Sequence, residues 1–367
     1  MKKLKVGIVG SGFGERVTLP CFYAAKGVEV IAFASRAPGK VRKSARAYGV
    51  TQVLSSYEKM LEIKELDLVC IETPPFLHCE MVKKALSAGK HVLCEKPMAL
   101  NAPEAAEMAK MAKESNCIAL IDHQMRFHPN IRKIKAMIDE GELGEIRQVD
   151  LTYLTAARME KDIPWDWWSD LTVGGGQVGA ICSHFVDMLR WWFGEIVSVR
   201  GNVRTLTPQR FDPVAGVMKK VSSPEYAAFD AALENGLVLR AVTSSVAPEA
   251  TGTQAQIVGE KATLMLKGVE QLLLQRGNEI EDISAKDELL GKPVIGENPW
   301  RTSLVRFAED IAGSISHNRP GSGATFEDGL RIQEVLDAIL VSQEEQRDVR
   351  IGEVGRPRAP HPNKRDG

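Results

Sequence analysis

The chain has 367 residues, of which 44% are hydrophobic and 26% charged, and its formal net charge at pH 7 is −1. This length suffices for two domains with cores of their own, and so small a net charge gives no reason to expect binding to nucleic acid or to an anionic membrane. No apolar run approaches the ~20 residues of a membrane-spanning helix. The six cysteines form neither a CxxC pair nor a metal-binding spacing, which predicts a reduced, cytoplasmic protein without a metal site.

The chain begins with a predicted buried strand over Lys5–Val9, a glycine-rich turn, and a helix over Glu15–Lys26. Glycines let the backbone approach a pyrophosphate closely, and the helix N-terminus supplies amide donors and a partial positive charge. The third glycine of a G-x-G-x-x-G pattern would stand at position 15, where the chain has Glu15, so an ordinary strand-to-helix turn is the alternative. The residues of this turn that we predict to bind a dinucleotide are Gly10, Gly12, Phe13 and Gly14.

The second predicted strand, Val28–Ala34, ends at Ser35 and Arg36. Enzymes that use NAD usually have an acid about 20 residues after the glycines, where it binds the ribose 2′-hydroxyl. In this chain a hydroxyl and a guanidinium stand there, and Lys40 follows in the next helix. Because a guanidinium can bind a 2′-phosphate through its fork of donors, the pattern predicts NADP in preference to NAD. A solvated basic helix face is the alternative.

Short apolar strands and helices continue to alternate as far as Ile121, which predicts a doubly wound parallel sheet, a Rossmann domain, over residues 1–123. In such a sheet, ligands bind outside the carboxyl ends of the strands. The further predicted strands are Gln52–Leu54, Leu66–Glu72, His91–Cys94 and Cys117–Ile121, and the helices start at Ser56, span Phe76–Ala88, and run from a cap at Asn101 to about Ser115.

Two short segments directly follow strands of this sheet. Thr73 and Pro74 come after one strand, and Glu95, Lys96 and Pro97 come after the next. Both segments therefore face the same crevice as the glycine turn. A lysine that is desolvated there has a lowered pKa and can move a proton. A nearly neutral Glu–Lys pair on the surface is the alternative.

After Asp122 the alternation stops, and residues 124–354 are predicted to form an α+β domain with a large, open, mostly antiparallel sheet. Residues 123–129 are predicted to be a polar linker, 207–224 a loop, and 355–367 a mobile tail or an arm that reaches a partner. Asn235-Gly236 predicts the turn of a β-hairpin. The predicted strands lie at Ile146–Thr155, Val197–Leu206, Ala227–Leu233, Leu237–Ser245, Gln254–Val258, Thr263–Leu266 and near 271–282, and the helices at Asn130–Glu140, Val178–Phe193, Trp300–His317 and Ala324–Glu345.

A long loop over 156–176 is rich in tryptophan. Its tryptophans either pack the edge of the domain or wall a pocket, where indole faces would suit the C–H faces of a sugar or polyol. In the following helix His184 and Asp187 are three residues apart and share a side. A satisfied, half-buried histidine is the alternative to a functional one at position 184. The candidate substrate-binding residues are Arg158, Trp165, Trp167, Trp168 and Asp187.

These motifs together resemble the glucose–fructose oxidoreductase and inositol dehydrogenase family, often written Gfo/Idh/MocA, over nearly the whole chain. The resemblance implies an enzyme that uses NAD or NADP to oxidise or reduce a secondary alcohol or ketone, usually on a sugar, an inositol or a sugar derivative. It also implies a homodimer or homotetramer formed through the open face of the second sheet. The segments that carry the resemblance are the glycine turn, Thr73–Pro75, Ala88–Pro97, Arg126–Pro129, Gly174–Gly176, Ser183–Asp187 and Ala324–Gly329.

The same resemblance implies roles for individual residues. Lys96 would assist proton transfer at the reacting oxygen, and His184 would be the second acid–base group. Many family members have an aspartate four residues before this histidine. Here Ala180 stands in that place, so Lys96 is expected to carry more of the proton transfer. Arg126 would lie at the junction of cofactor and substrate. The further residues that we assign to the cofactor site are Thr73, Pro74, His78 and Glu95.

Two other functions are compatible with these motifs. One is a regulator that binds the nucleotide and does no chemistry, since a fold does not fix a function. The other is a glycosidase that oxidises its substrate transiently, which a tightly bound cofactor without net redox change would indicate. The presence of both Lys96 and His184 favours the oxidoreductase over the regulator.

Overall fold

The computed structural model describes residues 3–317 and 321–354 of the chain. The first half forms a sheet whose central strands are buried on both faces, so runs such as Leu68–Ile71 are apolar without polar alternation. Its parallel strands are β1 (Leu4–Val9), β2 (Val28–Ala34), β3 (Gln52–Leu54), β4 (Leu68–Ile71), β5 (His91–Cys94) and β6 (Ala119–Ile121). Across the sheet their order is β3-β2-β1-β4-β5-β6, the order of a doubly wound dinucleotide-binding sheet, which confirms the predicted fold.

Helices flank this sheet as the alternation predicts, with one difference near the start of the chain. The predicted helix over Glu15–Lys26 is a widened turn, Gly14–Thr18, followed by a short helix, because Pro20 has no N–H with which to continue a regular helix. Asn101 is the predicted cap, and its side chain accepts a hydrogen bond from the backbone N–H of Glu104 at 3.0 Å. The helices are α1 (Leu19–Ala24), α2 (Pro38–Ala47), α3 (Tyr57–Leu61), α4 (His78–Ser87) and α5 (Ala102–Glu114).

The second half forms a larger sheet, and its strands alternate buried and more exposed side chains because one face packs on helices. The remaining strands are β7 (Ile146–Leu154), β8 (Ile196–Arg204), β9 (Gln209–Asp212), β10 (Val217–Lys220), β11 (Tyr226–Leu233), β12 (Val238–Ser244), β13 (Gly252–Gly259), β14 (Thr263–Lys267), β15 (Gln271–Arg276), β16 (Glu279–Asp282), β17 (Ala324–Thr325) and β18 (Val349–Arg350). The large sheet has the order β16-β15-β14-β13-β7-β12-β11-β8-β18, and its neighbours are antiparallel except for β7 and β12. The Asn-Gly turn joins β11 to β12 as predicted, with Gly236 at a φ of +84°. An oligomer interface on the outer face stays a prediction.

The remaining helices are α6 (Pro129–Asp139), α7 (Ser183–Phe193), α8 (Pro299–His317) and α9 (Phe326–Glu345). Residues of α6, α7 and α9 share the core of the large sheet. In contrast, α8 packs with α1 against the first sheet, and β17 pairs antiparallel with β6 at its edge. The predicted assignment of all of 124–354 to the second domain therefore differs from the packing of α8 and β17. The predicted tail over 355–367 lies outside the described residues. Within the described ranges, no helix combines the length and the apolar character needed to cross a membrane.

The segment 123–129 is not an exposed linker. Residues Gln124–Phe127 form a buried 3₁₀ turn, and the ring of Phe127 stacks on Phe307 with centroids 4.7 Å apart. The prediction followed the polar composition of the segment. Three of its polar side chains, His123, Arg126 and His128, are nevertheless buried because they find partners inside the protein.

The segment 207–224 contains the hairpin of β9 and β10 where a loop was predicted. The hairpin is attached to the tryptophan-rich loop by the buried side chain of Arg210. Its guanidinium donates hydrogen bonds to the backbone carbonyls of Arg158 at 2.6 Å and Glu160 at 2.9 Å. A buried arginine of this kind fixes the two segments together, because removing it would leave several carbonyl groups without partners.

His128, the cap of α6, makes stability depend on pH. Its Nδ1 accepts a hydrogen bond from the backbone N–H of Asn130 at 3.3 Å. Burial, with a contribution from Arg306, lowers the pKa of His128 to about 4. This folded-state pKa is below the unfolded value of ~6.5, so the contribution is complete above pH ~6.5 and is lost as the pH falls toward 4.

We expect the substitution His128→Asn to make the free energy of unfolding less sensitive to acid. Asparagine still caps the helix but does not titrate. Without the titrating imidazole, the loss of unfolding free energy as the pH falls from 6.5 to 4 should be smaller by up to about 1.4 kcal/mol per pH unit. Urea unfolding at pH 7.5, 6 and 5 measures the dependence, with exposed His317→Asn as the control. An unchanged slope in His128→Asn would contradict this account.

Candidate active site

A cavity of about 940 Å³ lies at the carboxyl ends of β1, β4 and β5, where the strand order of the first sheet reverses. Its size is in the range of ligand-binding sites, and its position is where ligands bind to open α/β sheets. Gly10, Gly12 and Phe13 of the glycine turn line one part of it together with Ser35, Arg36 and Lys40, whereas Gly14, also predicted to bind the dinucleotide, does not. The other lining residues include Glu72, Thr73, Pro74, Glu95, Lys96, Trp167, Trp168 and Ala180.

The three glycines of the turn have different surroundings. Gly10 has a φ of +120°, and a Cβ added there would lie 2.2 Å from the carbonyl oxygen of Glu72. At Gly14 a Cβ would lie 3.0 Å from a side-chain carbon of Ile8. A Cβ on Gly12 meets nothing within 4 Å, so the cavity is open above the backbone at this point. Glu15 does not obstruct it, because its carboxylate accepts a hydrogen bond from Ser44 of α2.

The end of the cavity beside β2 is polar and basic. The Ser35 hydroxyl accepts a hydrogen bond from the N–H of Ala37 at 3.2 Å, while the side chains of Arg36 and Lys40 are exposed. Among the described residues that line the cavity, the acids are Glu72 and Glu95, which belong to the β4 and β5 ends. The position where a ribose-binding acid is expected thus offers hydrogen-bond donors and positive charge.

Lys96 lies at the opposite end of the cavity and is held in place there. Its Nζ donates a hydrogen bond to the backbone carbonyl of Ala180 at 2.8 Å and lies 3.9 Å from Oε1 of Glu95. The position at which the family resemblance leads one to expect an aspartate therefore contributes its carbonyl oxygen. The Lys96 side chain is 15% exposed, so it is largely desolvated but still reaches the cavity.

His184 lies in the same region but is not among the residues that line the cavity. It is 3% exposed, its Nδ1 lies 3.4 Å from Nδ1 of His123, and its ring meets that of Trp300 edge-on at 5.6 Å. Burial, and then the charges of Lys96 and His123, lower its pKa well below the usual value, so the imidazole is neutral. Its role as the second acid–base group stays a prediction.

Arg126 and Asp187, which sequence reasoning placed at the cofactor junction and at the substrate, bind each other. Nη2 of Arg126 donates to Oδ1 of Asp187 at 2.6 Å and its Nε to Oδ2 at 3.0 Å. Asp328 of α9 lies 3.6 Å from the same guanidinium and 3.5 Å from that of Arg190. Neither Arg126 nor Asp187 lines the cavity. They form an ion network that joins the 3₁₀ turn to α7 and α9, and this differs from the two sequence predictions.

His78 also lies away from the cavity, in contrast to its assignment to the cofactor site. The side chain is fully buried. Its Nε2 lies 2.7 Å from the carbonyl oxygen of Thr73 and its Nδ1 3.1 Å from that of Pro97. His78 therefore ties together the two segments that follow β4 and β5, so that it acts on the cavity by positioning its walls.

The tryptophans of the loop over 156–176 fill both roles that the sequence left open, since two wall the cavity and one packs against a neighbouring element. Trp167 and Trp168 line the cavity, and the Arg158 guanidinium lies 4.8 Å above the ring of Trp168. Trp165 packs on the β9–β10 hairpin instead, where its indole N–H donates to the carbonyl of Lys220 at 3.1 Å. Arg158 also pairs with Asp166 at 2.9 Å, and it acts through Trp168 because it does not line the cavity itself.

Two carboxyl groups next to Lys96 were not singled out from the sequence. Glu72 and Asp122 follow β4 and β6, and together with Glu95 they place three carboxyl oxygens within 4.8 Å of one another. Both are buried, and burial raises the pKa of each well above its usual value, with a further contribution from Glu95. The sequence does show an acid directly after each of two apolar strands. This pattern indicates that the two acids lie close together only once the strand order is known.

Comparisons with known proteins agree with the fold of both halves. Two family models match: one is described as an oxidoreductase family with an NAD-binding Rossmann fold, over residues 4–123, and the other as the GFO/IDH/MocA C-terminal domain, over 131–265. An uncharacterised oxidoreductase of Synechocystis sp. is 32% identical over 264 residues, which cover 72% of this chain and 71% of the relative. Levoglucosan dehydrogenase of Pseudarthrobacter phenanthrenivorans is 30% identical over 221 residues, 57% of this chain and 56% of that enzyme.

Solved structures share the fold of both halves. A levoglucosan dehydrogenase in complex with NADH and L-sorbose superposes with a TM-score of 0.86 at 22% sequence identity. The superposition covers 95% of this chain and 99% of that chain. The two proteins therefore share the first sheet, the large sheet and the relative arrangement of these two sheets.

Proposed function

Because the chain belongs to the Gfo/Idh/MocA family of oxidoreductases, with an NAD-binding Rossmann domain, we propose that it transfers hydride between a nicotinamide and a secondary alcohol or ketone. The proposed substrate is a sugar, an inositol or a sugar derivative. One observation carries the proposal: a single cavity connects the glycine turn with Lys96, Trp167 and Trp168. A levoglucosan dehydrogenase among the relatives supports the substrate class.

The residues present fit a nicotinamide dinucleotide. The open space above Gly12 leaves room for a pyrophosphate at the backbone amides. Thr73, Pro74 and Glu95 line the cavity between the glycine turn and Lys96, where they would hold the nicotinamide end. When bound, the cofactor supplies the hydride acceptor for oxidation or the donor for reduction.

Lys96 is the residue that we propose to handle the proton of the reacting hydroxyl. The carbonyl of Ala180 fixes its Nζ at the cavity wall, and its small exposure keeps competing water away. Trp167 and Trp168 offer apolar faces to the C–H groups of a sugar ring. This combination orients a polyol with one hydroxyl at Lys96.

A screen of sugars, inositols and ketosugars with NAD and NADP in parallel tests the proposed function. We expect at least one compound to change the absorbance of the reduced cofactor in a manner that saturates with substrate. Saturable cofactor binding without turnover on any compound would favour the regulator instead. Substrate cleavage by protein that holds its cofactor tightly, without net redox change, would favour the glycosidase.

We further propose that the enzyme prefers NADP to NAD, which the basic end of the cavity at Arg36 and Lys40 supports. We expect Arg36→Ala to reduce the ratio of NADP affinity to NAD affinity by about tenfold or more, because a charge-assisted contact to the 2′-phosphate is lost. Titration of each cofactor by tryptophan fluorescence measures the ratio.

The control for this titration is Arg42→Ala, which removes a positive charge from an exposed position of α2, the helix that follows Arg36, and lies outside the cavity. It should change the ratio little, because long-range attraction between exposed charges is screened by salt. Equal affinities of the unmodified protein for NAD and NADP would show that the preference was assigned wrongly.

A further inference from the structure

Glu72, Glu95 and Asp122 are neighbours because their strands are in register. Ile71 of β4 pairs with Cys94 of β5, and Cys94 pairs with Ile121 of β6, so the residue after each of them stands at the same level of the sheet. Backbone hydrogen bonds extend this register by one residue beyond the ends of the strands. The N–H of Glu95 donates to the carbonyl of Ile71 at 2.9 Å, and that of Asp122 to the carbonyl of Cys94 at 2.8 Å.

Few hydrogen-bond donors and positive charges offset the burial of these three carboxyl groups. Within the described residues, no side-chain oxygen of Glu72 or Asp122 accepts a hydrogen bond of good geometry. The hydroxyl of Thr18 beside Glu72 and the N–H of Gln124 beside Asp122 oppose the rise of the two pKa values only in part. Lys96 is the one cation among the described residues that acts on all three acids. The adjoining thiols of Cys70 and Cys94 stay neutral, since burial and the acids raise their pKa.

Three ionised carboxylates facing one ammonium would leave two uncompensated negative charges in a buried place, which is strongly unfavourable. A hard cation would remove this charge, but Ca²⁺ takes six to eight oxygen ligands. The described side chains offer three carboxyl groups and the hydroxyl of Thr18. The glycine turn closes the space on one side, because Gly10 and Gly14 pack against the backbone and stem of Glu72. Protons therefore fit the site better than a metal ion.

We propose that Glu72, Glu95 and Asp122 share protons and exchange one of them with Lys96. The inference rests on the proposed function, in which Lys96 receives the substrate proton. In the oxidative direction, an N–H bond of the Lys96 ammonium first breaks as an O–H bond forms on Glu95, 3.9 Å away. The O–H bond of the alcohol then breaks as an N–H bond forms on the amine that this transfer leaves. Protons move and no electrons are transferred in these two steps.

The proton then passes between neighbouring carboxyl groups. Glu72 and Glu95 both line the cavity, so the group has a route by which protons return to solvent. Asp122 is fully buried, and it exchanges protons through the other two. In this arrangement Glu72 and Asp122 position and store the proton, whereas Lys96 alone meets the substrate.

Infrared spectroscopy of the full-length protein at pH 8, without substrate, tests the protonation directly. We expect a carbonyl-stretch band of buried, protonated carboxyl groups that weakens in Glu72→Gln and in Asp122→Asn. The control is Asp287→Asn: burial opposes the charge of Asp287, but Arg306 and Thr302 hold its pKa below the usual value, so it is ionised and the band should persist. A band that is absent from the unmodified protein, or equal in all variants, would overturn the proposal. So would loss of the band on addition of Ca²⁺ or Mn²⁺.

Kinetics distinguish proton exchange from a merely structural role. We expect Glu72→Gln to lower kcat about tenfold, less than the ~10²-fold of a direct acid–base group, with little change of KM and an altered pH profile of kcat. Glu72→Asp, which keeps a titratable group, should restore part of the loss. A changed KM with an unaltered pH profile would refute the exchange. Because the infrared measurement needs no substrate, its outcome does not depend on whether the proposed reaction is correct.

Discussion

Replacing Lys96 by alanine is expected to lower kcat by about 10²–10⁴-fold, the usual contribution of a positioned acid–base group. The Lys96 side chain reaches the cavity wall, where its Nζ is fixed 2.8 Å from the carbonyl oxygen of Ala180. Alanine removes the group that gives or takes the hydroxyl proton, while the glycine turn is untouched. Steady-state rates with the substrate found in the screen measure kcat, and fluorescence titration shows whether cofactor binding is retained.

Lys110→Ala is the matched control for this experiment. Lys110 lies on the outer face of α5 and is 74% exposed, so its loss should leave kcat unchanged. Near-full turnover of Lys96→Ala would refute the assignment of Lys96. Measurement of His184→Asn would then show whether the neutral, buried imidazole next to His123 carries the proton transfer instead.

The second large effect is expected for Asp187→Ala, which should reduce the free energy of unfolding by about 3–5 kcal/mol. The substitution leaves the Arg126 guanidinium buried without its bidentate partner, and the more distant Asp328, at 3.6 Å, compensates only in part. Urea unfolding followed by circular dichroism measures the loss. The double variant Asp187→Leu with Arg126→Met should recover part of it, because an apolar pair of similar volume carries no desolvation cost.

An exposed ion pair provides the comparison. Asp230 and Arg240 are 2.8 Å apart on the outer face of the large sheet, and both side chains are substantially exposed. Asp230→Ala should cost less than about 1 kcal/mol, since surface ion pairs contribute little. If the two alanine variants lost similar amounts, the network around Arg126 would not be the stabilising element that its burial indicates.

The sequence was sufficient for the order of elements in the first sheet. Runs such as Leu68–Ile71 and Val92–Cys94 are apolar throughout and are bounded by polar or turn residues, which indicates both their type and their parallel arrangement. Local signals also succeeded, as at Asn101 and the Asn235-Gly236 turn. These features depend on neighbours in the chain, and the sequence shows those neighbours directly.

Features that depend on distant residues could not be obtained in this way. The periodicity of α8 indicates that one side is apolar, but not which sheet that side meets. Arg126 and Asp187 were both selected, yet nothing in their sequence positions, 61 residues apart, shows that they bind each other. In the same way, the acids after β4, β5 and β6 become a cluster only through the strand register.

The return of α8 and β17 to the first sheet has a consequence for how the chain can be divided. A fragment that ends at residue 123 would lack both, and the apolar surface beneath α8 and the edge of β6 would be bare. Such an edge is prone to pair with other chains. The two halves are therefore interleaved rather than modular: cutting at the boundary of the first family model should give an aggregating fragment, and a division of the chain has to keep α8 and β17 with the first sheet.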